Sequence, residues 1–197
     1  AMAEVKLIKH RELVQELKLE DLILVGHSMG GKVAIRFAQE HQEVLEKLVV
    51  VDMGTKEYPM HHEHILAGIH SVDVDSIKVR SEAETQMRKH IDSEGTLQFL
   101  LKNLYWKEKG KLAWRMNTAV LEREMPEILK ALPEEEVRIP TLFIRGELSN
   151  YILDDDFASL ENQFLDSLFV TIEGAGHWVH AEAPEEFLDA LLSFCLR

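Results

Sequence analysis

Four runs of four or five residues, Leu22–Val25, Leu48–Val51, Thr141–Ile144 and Leu168–Ile172, are apolar almost end to end and do not alternate with polar residues. A strand with one face in water alternates. A strand covered on both faces has no reason to, and such cover is the rule in parallel sheets. Helical patterns separate the runs. Gly30 to His41 places Val33, Ala34, Phe37 and Ala38 on one face, and Asp156 to Gln163 supplies a second crossover. Val5 to Leu19 reads as an opening helix with Leu7, Ile8, Leu13, Val14 and Leu17 as its apolar set. A closing helix carries Phe187, Leu188, Leu191, Leu192 and Cys195 on one face, with Pro184 in its first turn, where a missing N–H costs nothing. Strand, helix and strand in this rhythm predict an α/β fold with a parallel sheet flanked by helices.

The segment from Met53 to Pro140 breaks the rhythm. It shows no clear buried strand and reads as amphipathic helices at Ile65–Ile69, Glu82–Ile91, Thr96–Tyr105 and Thr118–Leu132. A helical insertion between sheet strands is how a cap over an α/β site looks, and a purely structural subdomain looks the same. The expected organisation is a core part over 1–55, a helical cap over 56–135 and a second core part over 136–197.

Gly26-His27-Ser28-Met29-Gly30 lies between the first apolar run and the helix that follows it. That is the context a Gly-x-Ser-x-Gly nucleophile elbow requires: a sharp turn with small residues on both sides of the serine. Ser28 is then the candidate nucleophile. The Met29 N–H, at the helix start, is the candidate oxyanion donor. A glycine-rich turn with an incidental serine satisfies the pattern alone; the strand before it and the helix after it favour catalysis. Serine needs a base to take its proton. In this architecture the base comes last in the chain, which selects His177 in Gly174-Ala-Gly-His177-Trp178, just after the fourth run. His27 is expected to shape the pocket, and His180 to pair with a cap or core residue. His10, His41, His70 and His90 read as surface positions.

The carboxylate that orients the base is less direct. The usual Gly-x-x-Asp place after the third run reads Gly146-Glu147-Leu148-Ser149. Asp52 closes the second run, and a carboxylate at a strand's carboxyl end points into the same cleft as Ser28. Asp52 is the preferred acid because strand ends fix geometry better than loops. Glu147 and Asp154 stand behind it, Ser149 is a supporting hydrogen-bond partner, and a turn-forming role for Asp52 is the alternative.

These residues resemble the capped α/β-hydrolase superfamily, within it the small acyl-esterases of YbfF type and their mitochondrial α/β-hydrolase-domain relatives. The matches are Gly26 to Lys32, Val51-Asp52, Phe99 to Leu104, Trp114 to Asn117, Phe143 to Gly146 with Ser149 and Tyr151, and Gly174 to His180. The resemblance implies a serine esterase for short- to medium-chain acyl esters or acyl-thioesters. It also implies an acid after the strand that follows the nucleophile, which is Asp52, and a serine beside the histidine, which is Ser149. Members of this family carry further strands before the position of Ala1, and a His-Gly-type loop there gives the second oxyanion donor. The sequence holds no His-Gly dipeptide, so the fold is expected to be N-terminally incomplete. Phe99, Leu100, Trp106, Trp114 and Met116 in the cap, with Trp178, are candidates for an acyl pocket; cap packing is the plainer reading of any one of them.

Lys and Arg number 22 against 35 Asp and Glu, a net charge of −13 over 197 residues. That balance disfavours nucleic acid and anionic membranes as partners, and no apolar run nears the roughly 18 residues of a membrane span. The single Cys195 excludes an internal disulfide and a cysteine-built zinc site. His61, His62 and His64 cluster without a suitably spaced carboxylate or cysteine and read as a solvated loop, so no metal and no cofactor are expected. The expected partner is a small acyl ester, the expected assembly a monomer or homodimer. The expected location is the cytoplasm, or the mitochondrion if a targeting segment precedes Ala1. Two other functions fit the scaffold: a lyase or carbon–carbon hydrolase of the menaquinone-pathway type, whose members keep the aspartate that Ser149 replaces, and a truncated, non-catalytic binding protein. Dehalogenases and epoxide hydrolases would carry aspartate at position 28.

Overall fold

The computed structural model describes residues 2–59 and 63–197. His61 and His62, and the side chains of Leu7, Ile8 and His10, lie outside the described residues. In chain order the elements are α1 (Met2–Leu17), β1 (Leu22–His27), α2 (Met29–Glu40), β2 (Leu45–Val51), α3 (Glu63–Ser71), α4 (Arg80–Met87) and α5 (Glu94–Lys102). There follow β3 (Leu104–Glu108), β4 (Lys111–Trp114), α6 (Thr118–Leu129), β5 (Thr141–Gly146), α7 (Phe157–Gln163), β6 (Ser167–Ile172), α8 (Val179–Glu182) and α9 (Pro184–Cys195). The chain divides into two compact units. One holds the residues up to Tyr58 together with Glu127–Arg197, and the other is Pro59–Pro126.

The first unit is built on a parallel sheet of order β1-β2-β5-β6. All four apolar runs are strands of it. β2 and β5 are central, and Leu48, Val49, Val50, Leu142, Phe143 and Ile144 are at most 1% exposed, as continuous apolar runs require. β1 and β6 depart from the sequence expectation of cover on both faces. They are the outer strands, and Ile23, Val25 and Leu168 remain exposed. α2 packs on β1 and β2 with Ile35, Phe37 and Ala38 buried. The other side of β2 and β5 presents Val49, Val51, Leu142 and Ile144 to Val179 and Phe194 of α8 and α9.

The buried face of α9 differs from the one its spacing predicts. Pro184 does sit at the helix start, but Leu188 and Leu192 are exposed, and Phe187, Ala190, Leu191, Phe194 and Cys195 face the sheet. Two apolar stripes run side by side on this helix, and the one that is buried carries Phe194, which clusters with Val49, Val51, Leu142 and Ile144 of the two central strands. Leu13 and Leu17 of α1 are likewise exposed.

The second unit corrects the expectation of a purely helical insertion. Helix α5 ends at Lys102 rather than running to Tyr105, and Leu104 opens an antiparallel hairpin of β3 and β4. Tyr105 and Trp106 favour extended backbone, and Gly110 at φ 77 supplies the left-handed turn. Leu104 and Leu112 anchor the hairpin in the unit's own core with Met87, Leu97 and Leu100. Leu100 is 4% exposed there, and Trp114 and Met116 lean on the same cluster, so all three serve packing; Phe99 and Trp106 are exposed. Among the described residues no helix is long and apolar enough to cross a membrane.

The β1–α2 turn depends on glycine. A Cβ on Gly26 would stand 2.3 Å from the Gly30 carbonyl oxygen and 2.8 Å from the Ala34 Cβ, whereas one on Gly30 would meet nothing within 4 Å. Gly26→Ala is therefore expected to destabilise the chain by about 2 kcal/mol or more, and Gly30→Ala to be neutral or stabilising by up to about 1 kcal/mol. Urea denaturation midpoints of the two variants check the contrast; equal midpoints would refute the packing account.

Candidate active site

Parallel strands that start on one side of a sheet end on the other, so residues just past their C-termini share an edge. His27 pairs with Val51, Val51 with Ile144, and Gly146 with Ile172. The residues that follow β1 and β2 are Ser28 and Asp52, and both have positive φ, 54° and 49°. The Ser28 N–H donates to the Val51 carbonyl at 3.1 Å, and the Asp52 N–H to the Ile144 carbonyl at 2.7 Å. The sheet thus holds both backbones in a conformation that costs a non-glycine residue on the order of 1–3 kcal/mol.

The side chains join into one line. Nε2 of His177 lies 2.9 Å from the Ser28 hydroxyl, and Nδ1 lies 2.7 Å from Oδ2 of Asp52. A carboxylate oxygen only accepts, so Nδ1 carries the proton and Nε2 is left to accept from the serine. Asp52 is fully buried. Besides the imidazole it accepts the Gly146 N–H at 3.3 Å and the Ser149 hydroxyl, so the charge is compensated by three donors. Of the three carboxylates weighed from the sequence, Asp52 is the one that reaches the histidine. Glu147 turns to the Gly174 N–H at 2.9 Å, and Asp154 pairs with Arg145 at the surface.

The histidine loop is gripped through its backbone as well. The two carboxylate oxygens of Glu182 accept the N–H groups of Gly176, at 2.6 Å, and Trp178, at 3.1 Å, on either side of His177. Nε2 of His27 donates to the His177 carbonyl at 2.8 Å. Burial, the largest cause, lowers the His27 pKa to about 4 against the opposing pull of this hydrogen bond, and the neighbouring His177 and His180 lower it further. His27 is therefore neutral at ordinary pH and serves as a donor to that carbonyl. Its ring also meets Trp178 at 5.2 Å and His180 edge-on at 4.8 Å. Gly146 makes room for the loop: a Cβ there would stand 2.1 Å from the Gly176 carbonyl oxygen.

Met29 opens α2 directly after the serine, at the helix's positive end. One helix turn on, Lys32 is buried, and its ammonium donates to the carbonyls of Leu129, at 3.1 Å, and Lys130. Burial lowers its pKa to about 8. The sequence reading gave no role to Lys32, Glu182, Tyr58 or Tyr151. Glu182 had a readable signal, an acidic residue one helical turn past the histidine loop. Lys32 and Tyr151 lie within stretches that carry the resemblance, but what they and Tyr58 do follows only from what they touch across the fold.

The alpha/beta hydrolase family model matches residues 2–190. The chain is 34% identical over 190 residues to the sn-1-specific diacylglycerol lipase ABHD11 of Mus musculus, covering 92% of this chain and 61% of that one. It is 34% identical over 177 residues to esterase YbfF of Escherichia coli, covering 88% and 67%. Among solved structures a marine microorganism esterase superposes with a TM-score of 0.93 at 36% identity, covering 98% of this chain and 77% of that one. The chain spans about three fifths of the length of the curated relatives it first matches. On the match across nearly all its residues, and on a parallel sheet whose C-terminal edge gathers the site, the chain belongs to the alpha/beta hydrolase family.

Proposed function

We propose that this chain is a serine carboxylesterase that hydrolyses short- to medium-chain acyl esters, with acyl-thioesters as a second substrate class. The observation that carries the reading is the unbroken hydrogen-bond line Ser28–His177–Asp52 at 2.9 and 2.7 Å. The names of the relatives, a lipase and two esterases, support the ester as substrate.

In this reading Nε2 of His177 takes the Ser28 proton as the hydroxyl oxygen attacks the acyl carbon. The buried Asp52 carboxylate holds the imidazole in the tautomer with Nδ1 protonated and stabilises the imidazolium that forms. The Met29 N–H, at the start of α2, receives the oxyanion. His177 then returns its proton to the leaving alcohol or thiol, and an acyl-serine remains. Water, deprotonated by the same nitrogen, attacks the acyl carbon, and the acyl–oxygen bond to Ser28 breaks as His177 returns the proton to the serine and the acid leaves. Ser149 holds Oδ2 of Asp52, the oxygen that faces the imidazole. The neutral His27 fixes the backbone of the base without competing for the proton.

Ser28→Ala is expected to lower turnover of p-nitrophenyl butyrate by the 197-residue chain at least about 10⁴-fold and to abolish fluorophosphonate labelling, with an unchanged melting temperature. Retained turnover or labelling would sink the reading.

Asp52→Asn is expected to lower kcat by about 10³- to 10⁴-fold, because the amide presents a donor where the imidazole needs an acceptor. Glu147→Gln and Asp154→Asn should stay within about twofold of the parent. Steady-state kinetics on the three variants decide it, and the reverse pattern reassigns the acid.

A further inference from the structure

Asp52 and Ser28 hold the two nitrogens of His177, but two hydrogen bonds along one line leave the ring free to rock about that line. The structure supplies a restraint on the face. The ring of Tyr151 lies against the imidazole with centroids 3.9 Å apart and planes inclined by 19°, an offset stack. Tyr151 stands two residues after Ser149, on the loop that leaves β5, so its own position depends on that loop. Tyr58 fastens it. The Tyr58 hydroxyl donates to the Tyr151 carbonyl at 2.9 Å and accepts the Gly54 N–H at 2.7 Å. Gly54 is two residues after Asp52. One buried hydroxyl therefore ties the loop carrying the acid to the loop carrying the stacking ring, and the two tyrosine rings lie 5.2 Å apart, tilted by 39°.

We propose that Tyr151 is a positioning residue for the histidine, acting through its ring face, and that the Tyr58 hydroxyl sets that face in place. The inference rests on the esterase reading above. It deepens that reading by naming what keeps the base in plane. The phenol is not needed as an acid or a nucleophile. Burial first, and then the Asp52 charge, push its pKa up, so it stays neutral. What counts is the electron-rich face. It excludes water from one side of the imidazole and is attractive to the imidazolium that forms when Ser28 gives up its proton. The effect therefore appears in the chemical step and not in substrate binding.

The test uses Tyr151→Phe, Tyr151→Leu and Tyr58→Phe in the full 197-residue chain. Tyr151→Phe keeps the face and should hold kcat for p-nitrophenyl butyrate within about twofold. Tyr151→Leu should lower kcat by about 10- to 100-fold with KM little changed, the scale of a misplaced catalytic group. Tyr58→Phe removes the tie while leaving both rings, and should lower kcat several-fold, again without a matching rise in KM. The second readout needs no turnover: the downfield proton resonance of the His177 Nδ1–H bonded to Asp52, recorded in a Ser28→Ala background. It should be sharp with Tyr or Phe at position 151 and exchange-broadened with Leu, or with Phe at position 58. A Leu variant with parental kcat and a sharp resonance, a Phe variant as impaired as Leu, or a loss confined to KM each overturns the proposal. If Tyr151→Leu fails to fold, Tyr151→Phe and Tyr58→Phe decide it by the same criteria. Absent turnover and labelling in the parent, with the resonance behaving as expected, overturns the esterase reading and leaves the positioning role standing.

Discussion

A buried carboxylate is the constraint around which this site is arranged. Asp52 has no exposed surface, and an ionised group without partners in such a place costs several kcal/mol. Its three donors come from three places: the Gly146 N–H at the end of β5, the Ser149 hydroxyl on the loop beyond, and the His177 Nδ1–H after β6. They can converge only because β2, β5 and β6 lie side by side, parallel, with their C-termini at one edge. The strand order thus brings the carboxylate and its donors together. It also explains why position 149 is a hydroxyl. With the carboxylate already supplied after β2, a second one after β5 would face it as a like charge, whereas a serine donates to it.

The histidine illustrates how a loop residue acquires the precision of an element. The N–H groups flanking it are taken by Glu182, its carbonyl by His27, and its ring by Ser28, Asp52 and Tyr151. His27 neighbours Ser28, so the backbone of His177 is bonded to the residue beside the serine. The low pKa of His27 keeps this bond of one kind, neutral donor to carbonyl, at ordinary pH.

How much of this was legible before the structure divides by range of interaction. The central strands were readable because burial on both faces leaves a continuous apolar signature, as in Val49 to Val51 and Leu142 to Ile144. The turn at Ser28 was readable because glycine is required locally. Asp52 was readable because a strand end in a parallel sheet has one destination. The hairpin from Leu104 to Trp114 was missed because its four- and five-residue strands are short, mix Tyr105 and Trp106 with helix-compatible Leu, Lys, Glu and Ala, and have Gly110 alone to mark the turn. The face of α9 was misjudged because Leu188 and Leu192 are as apolar as Phe194, and only the shape of the sheet surface chooses between them. Tyr58 left no local pattern, and Tyr151 entered only within a family resemblance that gave it no role. They are separated by 93 positions, and their value lies in an oxygen of one meeting a carbonyl of the other.

Ser28 carries one further consequence. Its peptide cannot relax, because its N–H is held by Val51 and its carbonyl receives the N–H groups of Gly31, at 2.8 Å, and Lys32, at 3.2 Å. The sheet on one side and the first helical turn on the other compel a left-handed backbone that glycine would adopt freely. Position 28 is thus a place where heat resistance and chemistry pull toward different amino acids. A chain tuned for endurance alone would hold glycine there. Holding a hydroxyl instead means that the surrounding fold keeps a small, permanent deficit in its own stability, located at the residue whose hydroxyl meets His177.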